Sequence, residues 1–467
     1  LGIRAGWEGE VVQNLIAQGV LIIWPLVALF LFMTMSAGRA SIWTLLAGYL
    51  LLPVGVDFDF PGIPALDKST IPNLAVLILA FATARKGEVR WPRSRILNFM
   101  MIGLVLTSFA TGLTNGDVIS IGSVTFPALG FREGLSMAVG HVLTLAPFVV
   151  GACLLANEKG HRDILVALVI GALAYSIPVL LEIRLSPFLQ KWIYGISDVE
   201  YFLQQMRSGG FRSMVFLGHG LLVSAFLGMA LLAAIGLTRA RVKLFGVPMG
   251  LIVAYLAVIL VLNKTLSALI LVAVLAPLLL LFRPRLYIKA LAGLAMLVAL
   301  YPAVRGVDVF PQREIVSAIE SLNPERAHSL EFRFDNEHIL LNRAQERPWF
   351  GWGTFGRNKV IVVTNWGATV DVSVTDGTWI IVVGVYGWIG YLLFFGLLTY
   401  PFWRMLKLRK AVVPTVTLTL AAVHMFNVLD LIPNSSVRPI TWLIAGALAN
   451  FTSLSTGAIR RRAAPNT

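Results

Sequence analysis

Three groups of residues in this 467-residue chain could do chemistry. The first lies in "EFRFDNEHILLNRAQERPWFGWGTFGRN", residues 331–358, where Arg333, Asn336, Arg343 and Arg347 fall at near-helical spacing. Arginine forks match phosphate oxygens and keep their charge at any relevant pH, so the set suits an anion. A solvated charged face on a helix lying against a membrane is the plainer reading. The second group is "MRSGGFRSMVFLGHG", with Arg207, Arg212 and His219. Its arginines sit at the outer end of a span, where an arginine commonly snorkels to the interface. The third is Asp376, directly before an apolar run, where a carboxylate is either a helix cap or a general base facing a cavity.

The elements that must position these residues are membrane helices. Hydrophobic residues make up 57% of the chain and charged ones 13%, with mean hydropathy +0.79, more apolar surface than a water-soluble core can hide. A bilayer core of roughly 30 Å needs about 20 apolar residues per helix. About thirteen spans are expected, near 15–35, 40–56, 71–84, 96–113, 133–155, 162–183, 211–236, 246–262, 265–282, 286–304, 378–400, 412–429 and 438–455. Pro53 and Pro72 shorten the second and third, which leaves a re-entrant pair open. The fold class is thus an all-α polytopic bundle. It divides into a membrane domain at 1–304, a large outward, partly helical loop at 305–377, and a closing membrane segment at 378–467.

Charge orients the chain. Lys and Arg collect in alternate loops, from Arg39 through Arg85–Arg95, Arg239–Lys243 and Arg404–Lys410 to Arg460–Arg462, while the intervening loops are acidic, neutral or long. The positive-inside rule puts these basic loops and the carboxyl terminus in the cytoplasm and the loops near 184–210 and 305–377 outside. It also accounts for the net charge of +14 without nucleic acid, because the basic residues are scattered rather than gathered on one face. Cys153, the single cysteine, cannot form an intrachain disulfide and reads as a buried thiol. The chain begins at Leu1 rather than Met, which leaves room for residues upstream. No short apolar segment with a small-residue cleavage site marks a removed signal peptide.

Within the large loop, residues 321–348 read as a helix, with Leu330, Phe334, Leu341 and Ala344 or Gln345 on an apolar side, the arginines largely opposite, and Pro348 ending the pattern. "PWFGWGTFG" follows, a tight aromatic turn whose expected place is the bilayer rim, with sugar stacking on Trp352 as the alternative. No Walker lysine follows these glycines. His141 and His219, inside apolar runs, read as structural histidines. No His/Cys/Asp/Glu group has metal spacing, Asp57 with Asp59 included, so neither metal nor cofactor is expected.

Taken in this order, "FRSMVFLGHGLLVSAFL", "LNKTLSALILVAVLAPLLLL", "EFRFDNEHILLNRAQERPWFGWGTFG" and "DGTWIIVVGVYGWIGYLLFFGLL" resemble the O-antigen ligases and related lipid-linked oligosaccharide polymerases, over roughly residues 205–400. Arg333, Pro348, Gly351 and Gly353 occupy places in that family's pattern, while Glu337 or His338 stands where an aromatic is usual. The resemblance implies metal-independent, inverting glycosyl transfer on the periplasmic face of a bacterial inner membrane. The implied donor is a polyprenyl pyrophosphate-linked glycan, and the acceptor a glycan or lipid-linked hydroxyl. Arg212 and Arg333 take the places of the two arginines that engage pyrophosphate, and Asp376 replaces the family's activating histidine, which favours polymerisation over ligation. Arg207, His219, His338, Arg343, Arg347 and Trp352 are the candidates to line the substrate. Membrane lipid and polysaccharide-assembly proteins are the implied partners. Two other readings stand beside this one: a transporter of anionic solutes, which calls for repeats and broken helices, with Glu182, Lys264 and Asp430 as its only near-span charges, and a non-catalytic scaffold for envelope assembly.

Overall fold

The computed structural model describes residues 15–60, 62–196, 205–207, 210–307, 310–321, 323–408 and 413–463, except the side chains of Arg207 and of residues 452–463. The helices are α1 (Leu15–Thr34), α2 (Ala37–Leu51), α3 (Thr70–Thr83), α4 (Arg95–Leu113), α5 (Phe131–Leu154), α6 (Glu158–Leu185), α7 (Leu189–Tyr194), α8 (Gly220–Arg239), α9 (Met249–Leu262), α10 (Leu266–Leu281), α11 (Pro284–Gly306), α12 (Gln312–Glu320), α13 (Pro324–Gln345), α14 (Thr378–Met405), α15 (Thr415–Asp430) and α16 (Pro439–Ala463). Four antiparallel hairpins interrupt them: β1–β2 (Ile119–Ile121, Val124–Phe126), β3–β4 (Met206–Arg207, Gly210–Phe211), β5–β6 (Lys243–Leu244, Val247–Pro248) and β7–β8 (Ile361–Val363, Thr369–Asp371).

Each expected span coincides with a helix. Among the described residues seven (α1, α4, α5, α6, α8, α11 and α14) are long and apolar enough to cross a bilayer by themselves; α3, α9, α10, α15 and the first part of α16 are shorter apolar helices, and α2, over the second expected span, belongs to neither set. The chain is a multi-pass, all-α membrane protein. α8 lies at its centre, packed by α6, α9, α10 and α15. α5 and α16 approach backbone to backbone, because a Cβ on Gly151 would collide with the Leu443 carbonyl and one on Gly446 with the Phe148 carbonyl. Glycine at such contacts lets two helices gain dispersion energy where lipid offers no hydrophobic drive.

Hydrogen bonds sort the connections onto two faces. On one, which we call the loop face, 114–127 is tied to 347–369, Asn434 to Thr378, Ser213 to Asn263, Glu182 to Met214 and Val215, and Lys68 to Phe216. On the other, Arg39 pairs with Asp163, Asn450 binds the Arg90 carbonyl and Arg239 reaches Leu279.

Two sequence expectations change here. The seventh span starts at Gly220, not near 211, since Gly218 takes φ +78° and His219 turns into the helix as its cap. The aromatic turn lies in the bundle rather than at the bilayer rim. α14 breaks at Gly387 (φ 68°, ψ −171°), and the turn enters the break. Trp352 N–H donates to Gly384 O (2.8 Å), Gly353 N–H to Val385 O (2.9 Å), and Trp388 N–H to Pro348 O (2.7 Å). Gly351, Trp352 and Gly353 are buried, while Trp349 stays exposed. The freed carbonyls and amides of a broken helix must find partners inside a membrane protein, and here another segment's backbone supplies them.

Candidate functional site

The loop-face helix α13 starts at an Asn323 cap, whose side chain accepts from Arg326 N–H (3.1 Å), with Pro324 in its first turn. Ala327, Phe334, Leu340, Leu341 and Ala344 are buried, as the periodicity predicts for Phe334, Leu341 and Ala344. The arginine side departs from expectation. Asn336 is buried and its side-chain Oδ1 accepts from Val374 N–H (2.9 Å), and Arg333 is only partly exposed. The helix is held between the end of α11 and the segment 374–376 leading into α14, so a wide arc of it is covered.

Its main polar attachment is a pair absent from the sequence expectations. Arg305, in the last turn of α11, lies with Nε 3.1 Å from Glu337 Oε2, the two side chains being 6% and 13% exposed. Arg305 also donates to Phe334 O (2.9 Å) and Gln312 Oε1 (3.0 Å), and its guanidinium lies about equally close to the Phe310 and Phe334 rings. Tyr301 OH donates to the same Glu337 oxygen (2.9 Å). Burial pushes the Glu337 carboxyl above the usual carboxylate range, against the pull of the Tyr301 hydroxyl and of Arg305.

One turn back along α13, Arg333 Nε meets Asp376 Oδ2 at 3.3 Å, both side chains partly open to solvent. Asp376 is therefore not the cap of α14. Gly377 holds that position, in a place where a Cβ would strike the Ile432 carbonyl. An apolar groove of about 380 Å³ runs beside this assembly between α10, α11 and α15, lined by Ser267, Ile270, Val298, Tyr301, Leu429 and Ile432 among others. Tyr301 belongs both to the groove and to the Glu337 cluster.

Arg343, Arg347 and Trp352 form a clamp of their own. The two guanidiniums lie 3.5 and 4.3 Å from the Trp352 ring centroid, and the indole N–H donates to Arg343 O (2.7 Å). Arg347 pairs with Asp117 (2.6 Å), as does the fully buried Arg357 (3.1 Å), which also donates to Trp352 O and Pro127 O. Trp352 is 5% exposed, so its ring is a packing element here and not a platform for a sugar.

Arg212 is buried after the β3–β4 hairpin rather than on α8. Its side chain lies across Gly220, and its backbone N–H donates to Gln205 O (2.9 Å). The neighbouring Ser213 is held by Asn263, and Gly210 lies against the Lys264 ammonium, three residues before Ser267 of the groove. Arg207 has its backbone in β3, and its side chain is outside the described residues. His219 Nδ1 accepts from Leu221 N–H (3.1 Å), a capping role. His338 is exposed and bonded to Asn342 (3.1 Å), one residue beyond Glu337 on α13. His141, in α5, bonds Ser108 (2.7 Å), as a structural histidine would.

The near-span charges are also engaged. Glu182 accepts backbone N–H groups from Leu189, Met214 and Val215. Asp430 pairs with the buried Arg438 at 2.6 Å and accepts from Asn434 and Ser436. Arg438 stands beside Tyr49, whose ring has the Lys68 ammonium 5.7 Å from its centroid. Lys68 donates to Phe216 O (2.7 Å), and burial pushes its ammonium down to about 7.

The sequence signal for Arg305 was weak, since a lone arginine after an apolar run reads as snorkelling. Glu337, four residues after Arg333, was legible as a helical neighbour but not as a buried one. No protein-family model matches this chain, and no curated protein shows significant similarity to it.

Proposed function

We propose that this chain is a membrane glycosyltransferase of the O-antigen ligase and polymerase type, working at the loop face, which we read as the periplasmic face of a bacterial inner membrane. The observation that carries the reading is the continuity of the apolar groove with a charged rim. The groove meets the Glu337 cluster at Tyr301, and Arg333 with Asp376 stands one helical turn away. An isoprenoid-linked pyrophosphate needs that combination, an apolar lateral path and cations at its end.

In this reading the pyrophosphate takes the Arg333 guanidinium, releasing the Asp376 carboxylate toward the acceptor. The acceptor hydroxyl oxygen bonds to the anomeric carbon as the bond from that carbon to the pyrophosphate oxygen breaks. The hydroxyl proton passes to Asp376, and the charge growing on the leaving oxygen is met by Arg333, an interaction stronger in the transition state than before it. Arg212 with Lys264, just ahead of the groove's α10 side, supplies a second source of positive charge. The break in α14, a feature that a transporter would also have, is filled by the backbone of 348–353 rather than by a charged path.

Arg333→Ala and Asp376→Asn should each abolish polymer formation in cells at unchanged protein level. A removed transition-state contact of this kind costs about 10²–10³ in rate. Wild-type polymer in either strain ends the proposal.

A further inference from the structure

The β7–β8 hairpin carries a surface that the proposed reaction does not use. Val362 pairs with Val370, and Val372 N–H bonds Val360 O, so Val362, Val370, Val372 and Val374 share one face by strand alternation. Each of these four valines is 43–44% exposed, and Trp366 at the hairpin tip is 94% exposed. The opposite face is mixed: Ile361 and the exposed Val363 share it with Thr369 and Asp371, whose side chains are engaged. Thr369 Oγ1 accepts from Ser123 N–H of the neighbouring β1–β2 hairpin (3.0 Å), and Asp371 holds Lys359 (2.7 Å) and Ser373. The hairpin thus presents exposed valines to its surroundings, and the contacts of Thr369 and Asp371 are made from the other face.

A second exposed apolar surface lies on the membrane-embedded part of the chain. On α4, Ile96, Phe99, Ile102, Leu106 and Leu113 form an exposed stripe at helical spacing, the side of a spanning helix that lipid covers. Val118, also exposed, carries the stripe past the helix end into β1–β2, on which β7–β8 rests. Tryptophan prefers the level where headgroups meet chains, and an apolar face of this extent is costly in water.

From this arrangement we infer that the valine face and Trp366 dip into the membrane interface beside α4, making β7–β8 a membrane-contacting arm. The occupant is the lipid surface. This inference rests on the fold and not on the proposed reaction, but it bears on the candidate site. Val374 is fixed to Asn336 of α13 and lies two residues before Asp376, so the level at which the arm floats sets the level of that carboxylate.

The test uses the full chain in nanodiscs that hold one copy each. Cys153 is the only cysteine and is buried, so in Trp366→Cys an environment-sensitive fluorophore attaches at the tip alone. Trp366 makes so little contact with the rest of the chain that its replacement leaves folding intact. The expected result is blue-shifted emission and about twofold quenching by lipids brominated near the top of the acyl chain, the depth reached by interfacial elements. Adding Val372→Glu should abolish both. Water-like emission without lipid quenching overturns the inference. So does emission that shifts only when a disc holds two copies, which would make the face a contact between copies of this chain.

Discussion

Arg305→Met tests the attachment of α13 most directly. The substitution keeps an apolar stem against Phe310 and Phe334 but removes the guanidinium from Glu337, the Phe334 carbonyl and Gln312. The pair is buried, so breaking it belongs with buried rather than surface salt bridges, at about 3–5 kcal/mol. Docking of α13 by Phe334, Leu340 and Leu341 contributes about 1.5–3 kcal/mol per side chain, so the helix should stay attached and open more often. A loss of about 3 kcal/mol in a local opening equilibrium accelerates amide exchange by roughly 150-fold at 25 °C. Hydrogen exchange along residues 326–345 reads this, with α8 amides as an unaffected reference. The double variant Arg305→Met with Glu337→Leu removes the stranded carboxylate, and since apolar replacement of a whole buried pair is often neutral, it should recover most of the protection. Equal exchange in wild type and the single variant, or no recovery in the double, would refute the latch.

Other consequences can be measured by thermal unfolding in detergent. Gly387→Ala places a Cβ against the Trp349 carbonyl and should cost more than about 3 kcal/mol, whereas Gly367→Ala, equally left-handed but in open space, should cost about 1 kcal/mol. Arg438→Ala strands Asp430 and should lower stability by about 3–5 kcal/mol, with Asp430→Asn added in the same chain restoring part of it. For Lys68 the folded ammonium is depressed to about 7, against about 10.4 in an unfolded chain. Between those values the unfolded state binds more protons, so this residue's penalty is full below pH 7 and fades as pH rises toward about 10. Lys68→Met should therefore raise the melting temperature near pH 6 and lose that advantage at high pH; a pH-independent difference would contradict the burial argument.

Much of the architecture was legible because apolar run length and basic loops are local quantities. The thirteen runs each became a helix, and residues 324–345 became a helix with Phe334, Leu341 and Ala344 inward. The start of α8 was not legible, because the apolar residues 214–217 satisfy a hydropathy window whatever their backbone does. Nor was the fate of the glycine–aromatic turn. Composition makes Trp349 and Trp352 alike, yet one is exposed and the other is clamped by two arginines, and only the break at Gly387 decides which. By itself, then, the sequence determined a polytopic helical membrane protein with a polar, arginine-rich segment between its tenth and eleventh apolar runs. The tertiary structure decided that Arg333 meets Asp376, that Arg305 and Glu337 bind α13 to the bundle, and that Arg343 and Arg347 serve packing. The physical reason is that a charge's role depends on what desolvates and pairs it. Asp376 for Arg333, Glu337 for Arg305 and Asp117 for Arg347 lie tens to hundreds of residues away in the chain and become neighbours only when the helices pack.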